Sequence, residues 1–372
     1  MELSSEDNLR LNVLLRNNPL AIRIDESSMT LYGLSEKGEA KVQLNPTCRD
    51  DQYLRIVREL LSGHVQGSPG GYPVYLQRWT RMGQSRDENL EQLLLLGEPE
   101  AVIAVACASG LTDELARRAW WTSQDPDNAR RMLCNPSVVQ GAMGPELAQF
   151  LIEYLPFETE PAIIVESLRL ALQPGLIDEG LRNKLWERCA RKPTYYLGFL
   201  ISTPDDLPEP VTEKEFSVEN RQALTGLAEI GNPYAEVLLR VHGPAGQSFL
   251  KTVARVMEKP ANQDVVNILL DVLRHYFAPV RPEGDPDQTF EELVAEAEQR
   301  MADPAADPTL AACLAATQGL EQELMALRVL SGLGYGVLRP IFSKTDAIGS
   351  LMRRKLEPVS KPLVKILQIL QS

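Results

Sequence analysis

Histidine is scarce in this chain: three residues, His64, His242 and His275, in 372. That leaves little material for imidazole-based metal chelation or proton transfer. The five cysteines, Cys48, Cys107, Cys134, Cys189 and Cys313, are odd in number and share no CxxC or other ligand-like spacing. Neither a disulfide framework nor a zinc site is indicated. No apolar run reaches the roughly 18 residues of a membrane span; the nearest, Leu324 to Phe342, is interrupted by Arg328, Arg339 and three glycines. The opening Met-Glu-Leu-Ser-Ser-Glu-Asp lacks the basic start and apolar stretch of a secretory leader. A reducing cytoplasm is therefore the expected location.

What is present is ordinary globular composition, with 44% apolar and 24% charged residues. The net charge is −13, which opposes general binding to phosphate backbones. That charge is unevenly spread. From Glu283 to Asp307 nine acids face one base, Arg300, a net of −8. From Arg339 to Ser372 seven bases face two acids, a net of +5, which leaves −18 on the first 338 residues.

The hydrophobic pattern predicts a mainly α protein, an irregular HEAT-like array of helical hairpins behind a small N-terminal α/β unit. In residues 1–85, Leu9 to Arg16 reads as a helix. Ala21 to Asp25 and Ala40 to Leu44 alternate apolar and polar, and Met29 to Leu34 is rich in strand formers, which together predict a short antiparallel meander. After a cap at Asp50 or Asp51, the residues Tyr53, Ile56, Val57, Leu60 and Leu61 fall on one helical face. Residues 86–208 carry short helical segments with tight Gly, Pro or Asp connections, as stacked hairpins require. A proline-rich acidic stretch, Thr203 to Pro210, separates them from a second helical region at 209–342, in which Thr309 to about Ser331 reads as one long helix. Residues 343–372 form a basic amphipathic segment, read as two pieces split by Pro358 and Pro362.

Chemistry was sought in each motif. His64 near Ser68 suggests a base beside a nucleophile, yet no defining context surrounds the pair, and a turn-flanking surface histidine accounts for it. His242 precedes Gly-Pro at an expected helix end, where a cation meets the dipole favourably, and His275 sits beside Tyr276 on a helix. Gly67-Ser-Pro-Gly-Gly lacks the Gly-Lys-Ser/Thr ending of a phosphate loop and the GxGxxG of a dinucleotide fold, and reads as a chain reversal. Cys107 and Cys313 sit in alanine-rich runs as small hydrophobes. Cys134 and Cys189 have arginine neighbours, and Cys48, followed by Arg49 and Asp50 in an expected loop, is the foremost reactive thiol. The pair Trp120-Trp121 suits a split between core and an interhelix seam better than stacking on a base. No cofactor or metal site is expected. The basic residues Arg353, Arg354, Lys355, Lys361 and Lys365 suit three uses: docking on the chain's own 283–307 region, binding a protein partner, or weak contact with an anionic membrane surface.

Several stretches carry a resemblance. They are Leu9-Arg-Leu-Asn-Val-Leu-Leu15, Ala21-Ile-Arg-Ile-Asp-Glu-Ser27, Gln43-Leu-Asn-Pro46 and Cys48-Arg-Asp-Asp-Gln-Tyr-Leu-Arg55. With them go the run from Gly67 to Gln84, Leu90 to Val102, and Leu111 to Trp121. Together they resemble the DsrS family, soluble proteins encoded with the reverse-acting dissimilatory sulfite reductase of sulfur-oxidising bacteria. The resemblance is clearest over residues 1–135. It implies an accessory or regulatory protein of cytoplasmic sulfur oxidation that works through protein contacts, and it carries over no catalytic residues. It also adds interest to a second reading, a cysteine-dependent sulfur carrier or sulfurtransferase-like protein.

Overall fold

In the computed structural model the described residues are 3–66, 90–281, 285, 287–344 and 347–371. The protein is mainly α-helical, with one small antiparallel sheet near the N-terminus. It divides into two compact units, residues 1–155 with 173–177, and residues 156–172 with 178–372. The connector at 203–210 lies inside the second unit, and the basic C-terminal segment belongs to that unit as well.

The first unit opens with α1 (Ser5–Arg16), capped by the Ser4 hydroxyl. The meander follows as β1 (Ala21–Asp25), β2 (Thr30–Ser35) and β3 (Gly38–Gln43), in the spatial order β1-β2-β3. Its register pairs Ile24 with Leu31 and Leu31 with Val42. One face of the sheet meets α1 and α2 (Asp50–Gln66), so that Leu11, Ile22, Leu31, Leu44, Tyr53 and Val57 form a continuous core. A buried carboxylate completes it. Asp7 accepts the Tyr53 hydroxyl at 2.5 Å and the Asn45 amide at 2.8 Å. Burial disfavours its charge, but these hydrogen bonds outweigh burial and hold the carboxyl below its usual range. Short helices follow: α3 (Leu90–Leu93), α4 (Pro99–Ala106), α5 (Asp113–Thr122), α6 (Pro126–Met132), α7 (Pro136–Val139) and α8 (Met143–Tyr154). Thr112, Asp125 and Asn135 cap the starts of α5, α6 and α7 with side-chain oxygens, and Pro126 and Pro136 occupy the first turns of α6 and α7, where a missing N–H costs nothing.

The second unit contains α9 (Pro161–Ala171), α10 (Glu179–Cys189), α11 (Thr194–Ser202), α12 (Val218–Glu229), α13 (Pro233–His242), α14 (Pro244–Glu258) and α15 (Gln263–Phe277). Then come α16 (Phe290–Ala302), α17 (Pro308–Ala316), α18 (Glu321–Ser331), α19 (Tyr335–Phe342) and α20 (Gly349–Leu370). On α15 the residues Val266, Leu269, Leu270, Leu273, Tyr276 and Phe277 are all buried and form one apolar stripe.

Two expectations are corrected. The span from Thr309 to Ser331 is two helices, α17 and α18. Asn220, from α12, donates to the Gln318 carbonyl and accepts the Gln318 N–H, both at 2.9 Å, which takes that peptide out of the helical ladder. Gly319 at φ +71° completes the turn, a conformation that side chains with a Cβ resist. The basic tail, in contrast, is one helix of 22 residues that runs through Pro358 and Pro362. The two prolines are four apart, so both missing backbone bonds fall on one side of the helix. On the other side six apolar residues are buried, each contributing roughly 1.5–3 kcal/mol, enough to offset about 3 kcal/mol per proline.

A buried charge network also sits in this unit. Arg328, its side chain 5% exposed, donates to Glu296 at 2.7 Å and to the Tyr234 hydroxyl at 3.2 Å, and pairs with Asp307 at 3.4 Å. The Tyr234 hydroxyl donates to Asp307 at 2.9 Å. Of the acids in 283–307, Glu296 and Asp307 are thus held by Arg328, with Arg281 and Arg300 also pairing Glu296 and Arg339 pairing Asp287.

Candidate functional site

The helix α20 positions the predicted partner-binding residues. Met352, Leu356, Val359, Leu363, Leu367 and Leu370 recur at steps of four and three and are buried against α14, α18 and α19. The last carbonyls of a helix have no partner of their own; here side chains from earlier elements supply them. Lys214 donates to the Ile369 carbonyl and pairs with Glu323 at 3.3 Å, and Gln247 donates to the Leu370 carbonyl at 2.9 Å. The opposite face carries Arg354, Lys355, Lys361 and Lys365 in solvent, with Arg353 half-buried at its border. Glu357 is the one acid in this helix, held by Lys361 at 2.5 Å. Where α20 passes the end of α14, a cleft of about 390 Å³ is lined by Glu258, Ser350, Arg353, Arg354, Ser360 and Lys361. The tail is therefore docked on its own unit, against α14, α18 and α19, while Asp287, Glu296 and Asp307 of the 283–307 stretch pair with arginines outside α20.

None of the five cysteines, all among the described residues, is in a disulfide, and they are distributed across the two units. Cys48, just ahead of α2, is half-buried and packs against the core of the first unit. Cys107 and Cys134 are exposed; burial of part of its surface pushes the Cys107 thiol upward despite Arg131. In the second unit Cys189 and Cys313 are fully buried, and burial pushes their thiols up to about 12 and about 11. Arg188 and Arg191 do not make Cys189 a thiolate, because desolvation dominates.

Of the histidines, His64 is exposed in the last turn of α2, and its suggested companion Ser68, with the glycines at 67–71, lies outside the described residues. His242 ends α13 as expected, but it is not a cation capping a dipole. It is 2% exposed and stacked on Phe216 at 3.9 Å, and neither ring nitrogen has a hydrogen-bond partner among the described residues. Burial, reinforced by the Lys214 charge, pulls it down to about 4, so it is neutral. Of the tryptophan pair, Trp120 enters the core as expected, while Trp121 meets the sheet and not an interhelix seam. Trp120 is buried edge-on to Phe150 at 4.7 Å, and Trp121 donates to Glu39 at 3.1 Å with the Arg23 guanidinium over its ring at 5.0 Å. Among the described residues no group of three or more His, Cys, Asp or Glu could hold a metal ion. No single described helix is long and apolar enough to cross a membrane.

His275, by contrast, lies at a site that periodicity did not reveal. It lines a groove of about 470 Å³ formed by α11, α13, α15 and the residues after α11. Leu200, Ile201, Pro204, Ile268 and Val272 make its walls, and Arg240, Asp271, His275 and Tyr276 supply its polar groups. Arg240 is fixed from three directions. Its Nε and Nη2 fork onto the Asp205 carboxylate at 2.8 and 2.6 Å, its Nη1 reaches the Tyr276 carbonyl at 3.4 Å, and its plane lies 3.8 Å over the Tyr276 ring. Helical spacing on α15 does place Val272, His275 and Tyr276 near one another. Arg240 and the wall residues Leu200, Ile201 and Pro204 lie 35 or more positions before His275, which one helix pattern cannot supply.

Comparison with models of protein families, with curated proteins and with solved structures returns no match.

Proposed function

We propose that this chain is a non-catalytic accessory or regulatory protein of cytoplasmic sulfur oxidation, acting through protein contacts made by the basic face of α20. The observation that carries this reading is the fixed presentation of that face. Six buried residues and two donors to its terminal carbonyls hold α20 in place, so its exposed bases form a rigid row on a chain whose remainder is strongly acidic. Such a row steers an acidic surface into register and rejects a basic one. The pathway comes from the resemblance to the DsrS family.

The test is capture from native extract under varied salt, followed by lysine-directed cross-linking. A partner should be retained at low ionic strength, released as salt screens the contact, and cross-linked at Lys355, Lys361 or Lys365. The double variant K361E/K365E should lose it. Retention of no protein at any ionic strength, or equal retention by the variant, would overturn the reading. Binding to anionic vesicles alone would point instead to membrane contact.

One observation favours the second reading, a sulfur carrier using Cys134 or Cys48: Cys134 is exposed and sits between the α6 arginines and α7. Persulfide loading followed by mass spectrometry decides it. Sulfur confined to one cysteine, and lost in its Ser variant, would support a carrier.

A further inference from the structure

The apolar groove is built from elements that the partner-binding face does not use. Its recognition chemistry is legible atom by atom. Phe249 stacks on one side of Tyr276 at 3.8 Å and 12°, and the Arg240 guanidinium lies 3.8 Å over the same ring. Two planar groups cannot share one face at that distance, so Tyr276 is the middle layer and Arg240 the outer one. Held flat by the Asp205 fork, Arg240 keeps its second face for another π-system.

At the rim, His275 Nδ1 lies 2.6 Å from the Asp271 carbonyl. A carbonyl oxygen only accepts, so this bond selects the tautomer with its proton on Nδ1, which leaves Nε2 as an acceptor. Among the described residues Arg240 is the one arginine or lysine lining the groove and Asp205 already pairs it, while the lining carboxylate of Asp271 pairs with Arg274 at 3.0 Å, so an anionic head group gains little there. The volume lies within the roughly 300–1,000 Å³ usual for small-molecule sites.

We propose that this groove binds a small uncharged aromatic molecule, its ring against Arg240 and the apolar wall and its hydroxyl or N–H head donating to His275 Nε2. The site and the α20 contact are independent, and either stands without the other.

The experiment titrates three probes with a common ring, 2-phenylethanol, ethylbenzene and phenylacetate, into the full-length protein. Imidazole NMR signals are the readout, and with three histidines in the chain they are separable. The expected result is a saturable shift of His275 by 2-phenylethanol, with His64 and His242 unmoved. Ethylbenzene should bind about fivefold more weakly, the worth of one hydrogen bond, and phenylacetate more weakly than 2-phenylethanol. His275→Ala should erase the difference between the alcohol and the hydrocarbon, read by calorimetry. Ile268→Trp, which fills the groove, should abolish binding of both while circular dichroism stays unchanged. No saturable His275 shift in folded protein, tightest binding by phenylacetate, or an alcohol preference that survives in His275→Ala would each overturn the assignment.

Discussion

Gln247, buried in α14, donates its side-chain N–H to the carbonyl of Leu370 at 2.9 Å, across 123 residues of chain. The same Nε2 also donates to the Val241 carbonyl at 2.9 Å. One amide thus ties the end of α13, the start of α14 and the end of α20 together. The C-terminal helix is therefore part of the second unit's core, with its basic side chains as the surface of that core.

The first prediction separates these two roles of α20. Leu363 is fully buried, and Leu363→Ala should cost about 2–5 kcal/mol through lost burial and the cavity left behind. Lys361 is exposed and paired only with Glu357 among the described residues, and Lys361→Ala should change stability by less than about 1 kcal/mol. Urea unfolding of both variants checks this. Equal, small effects would show that the helix is not integral to the unit.

A second prediction concerns Arg328. Removing one partner of a buried ion pair strands the others, so Arg328→Ala should destabilise by roughly 3–5 kcal/mol. The pH dependence has a definite sign. Burial disfavours the charged forms of Glu296 and Asp307, but hydrogen bonds and the Arg328 charge outweigh it, and both carboxyls sit below their usual values. Depressed carboxyls contribute stability that is complete above their unfolded values and fades as pH falls through the folded ones. Between pH 5 and 3, about the range of ordinary carboxyl titration, the wild type should lose stability more steeply than Arg328→Ala. Denaturant midpoints across that range measure the difference.

Much of the fold was legible because burial follows periodicity. The α2 stripe of Tyr53, Val57 and Leu61 and the alternation at 41–44, where Val42 and Leu44 are buried and Lys41 and Gln43 exposed, each mark a buried face without outside help. The errors arose where a distant residue decides. Between Thr309 and Ser331 the local sign of a break is Gly319, but the two bonds that open it come from the distant Asn220. Pro358 and Pro362 read as breakers because the neighbours that hold α20 straight lie on α14, α18 and α19. Arg353, Arg354, Lys355, Lys361 and Lys365 were legible as a basic face from local spacing alone. The groove around Arg240 and His275 was not, because its residues converge only after α11, α13 and α15 pack.

Thiol chemistry provides a third prediction. Under native conditions an alkylating reagent should modify Cys107 and Cys134 first, because both are exposed, and the half-buried Cys48 more slowly. Cys189 and Cys313, buried with their thiols pushed up to about 12 and about 11, should react only on unfolding. Mass spectrometry of timed alkylation gives the order. Early labelling of Cys189 or Cys313 would mean that the second unit opens far more readily than its packing implies.

His242 offers a titration that can be isolated from the carboxyls. Its ring is buried on Phe216, and burial, with the Lys214 and Arg221 charges, holds it at about 4. The unfolded chain protonates histidine near 6.5, so between those values the unfolded state binds the extra proton and the folded state does not. Stability from this group is complete above about 6.5 and is lost as pH falls toward 4. Across the whole window that amounts to roughly 3 kcal/mol. Phenylalanine keeps the stack on Phe216 and needs no partners for ring nitrogens. His242→Phe should therefore match the wild type near pH 7 or exceed it, and should lose less stability between pH 6.5 and 5, above the main carboxyl range. Urea midpoints at pH 7, 6 and 5 test this. Parallel slopes for the two proteins would mean that His242 takes up its proton without disturbing the fold.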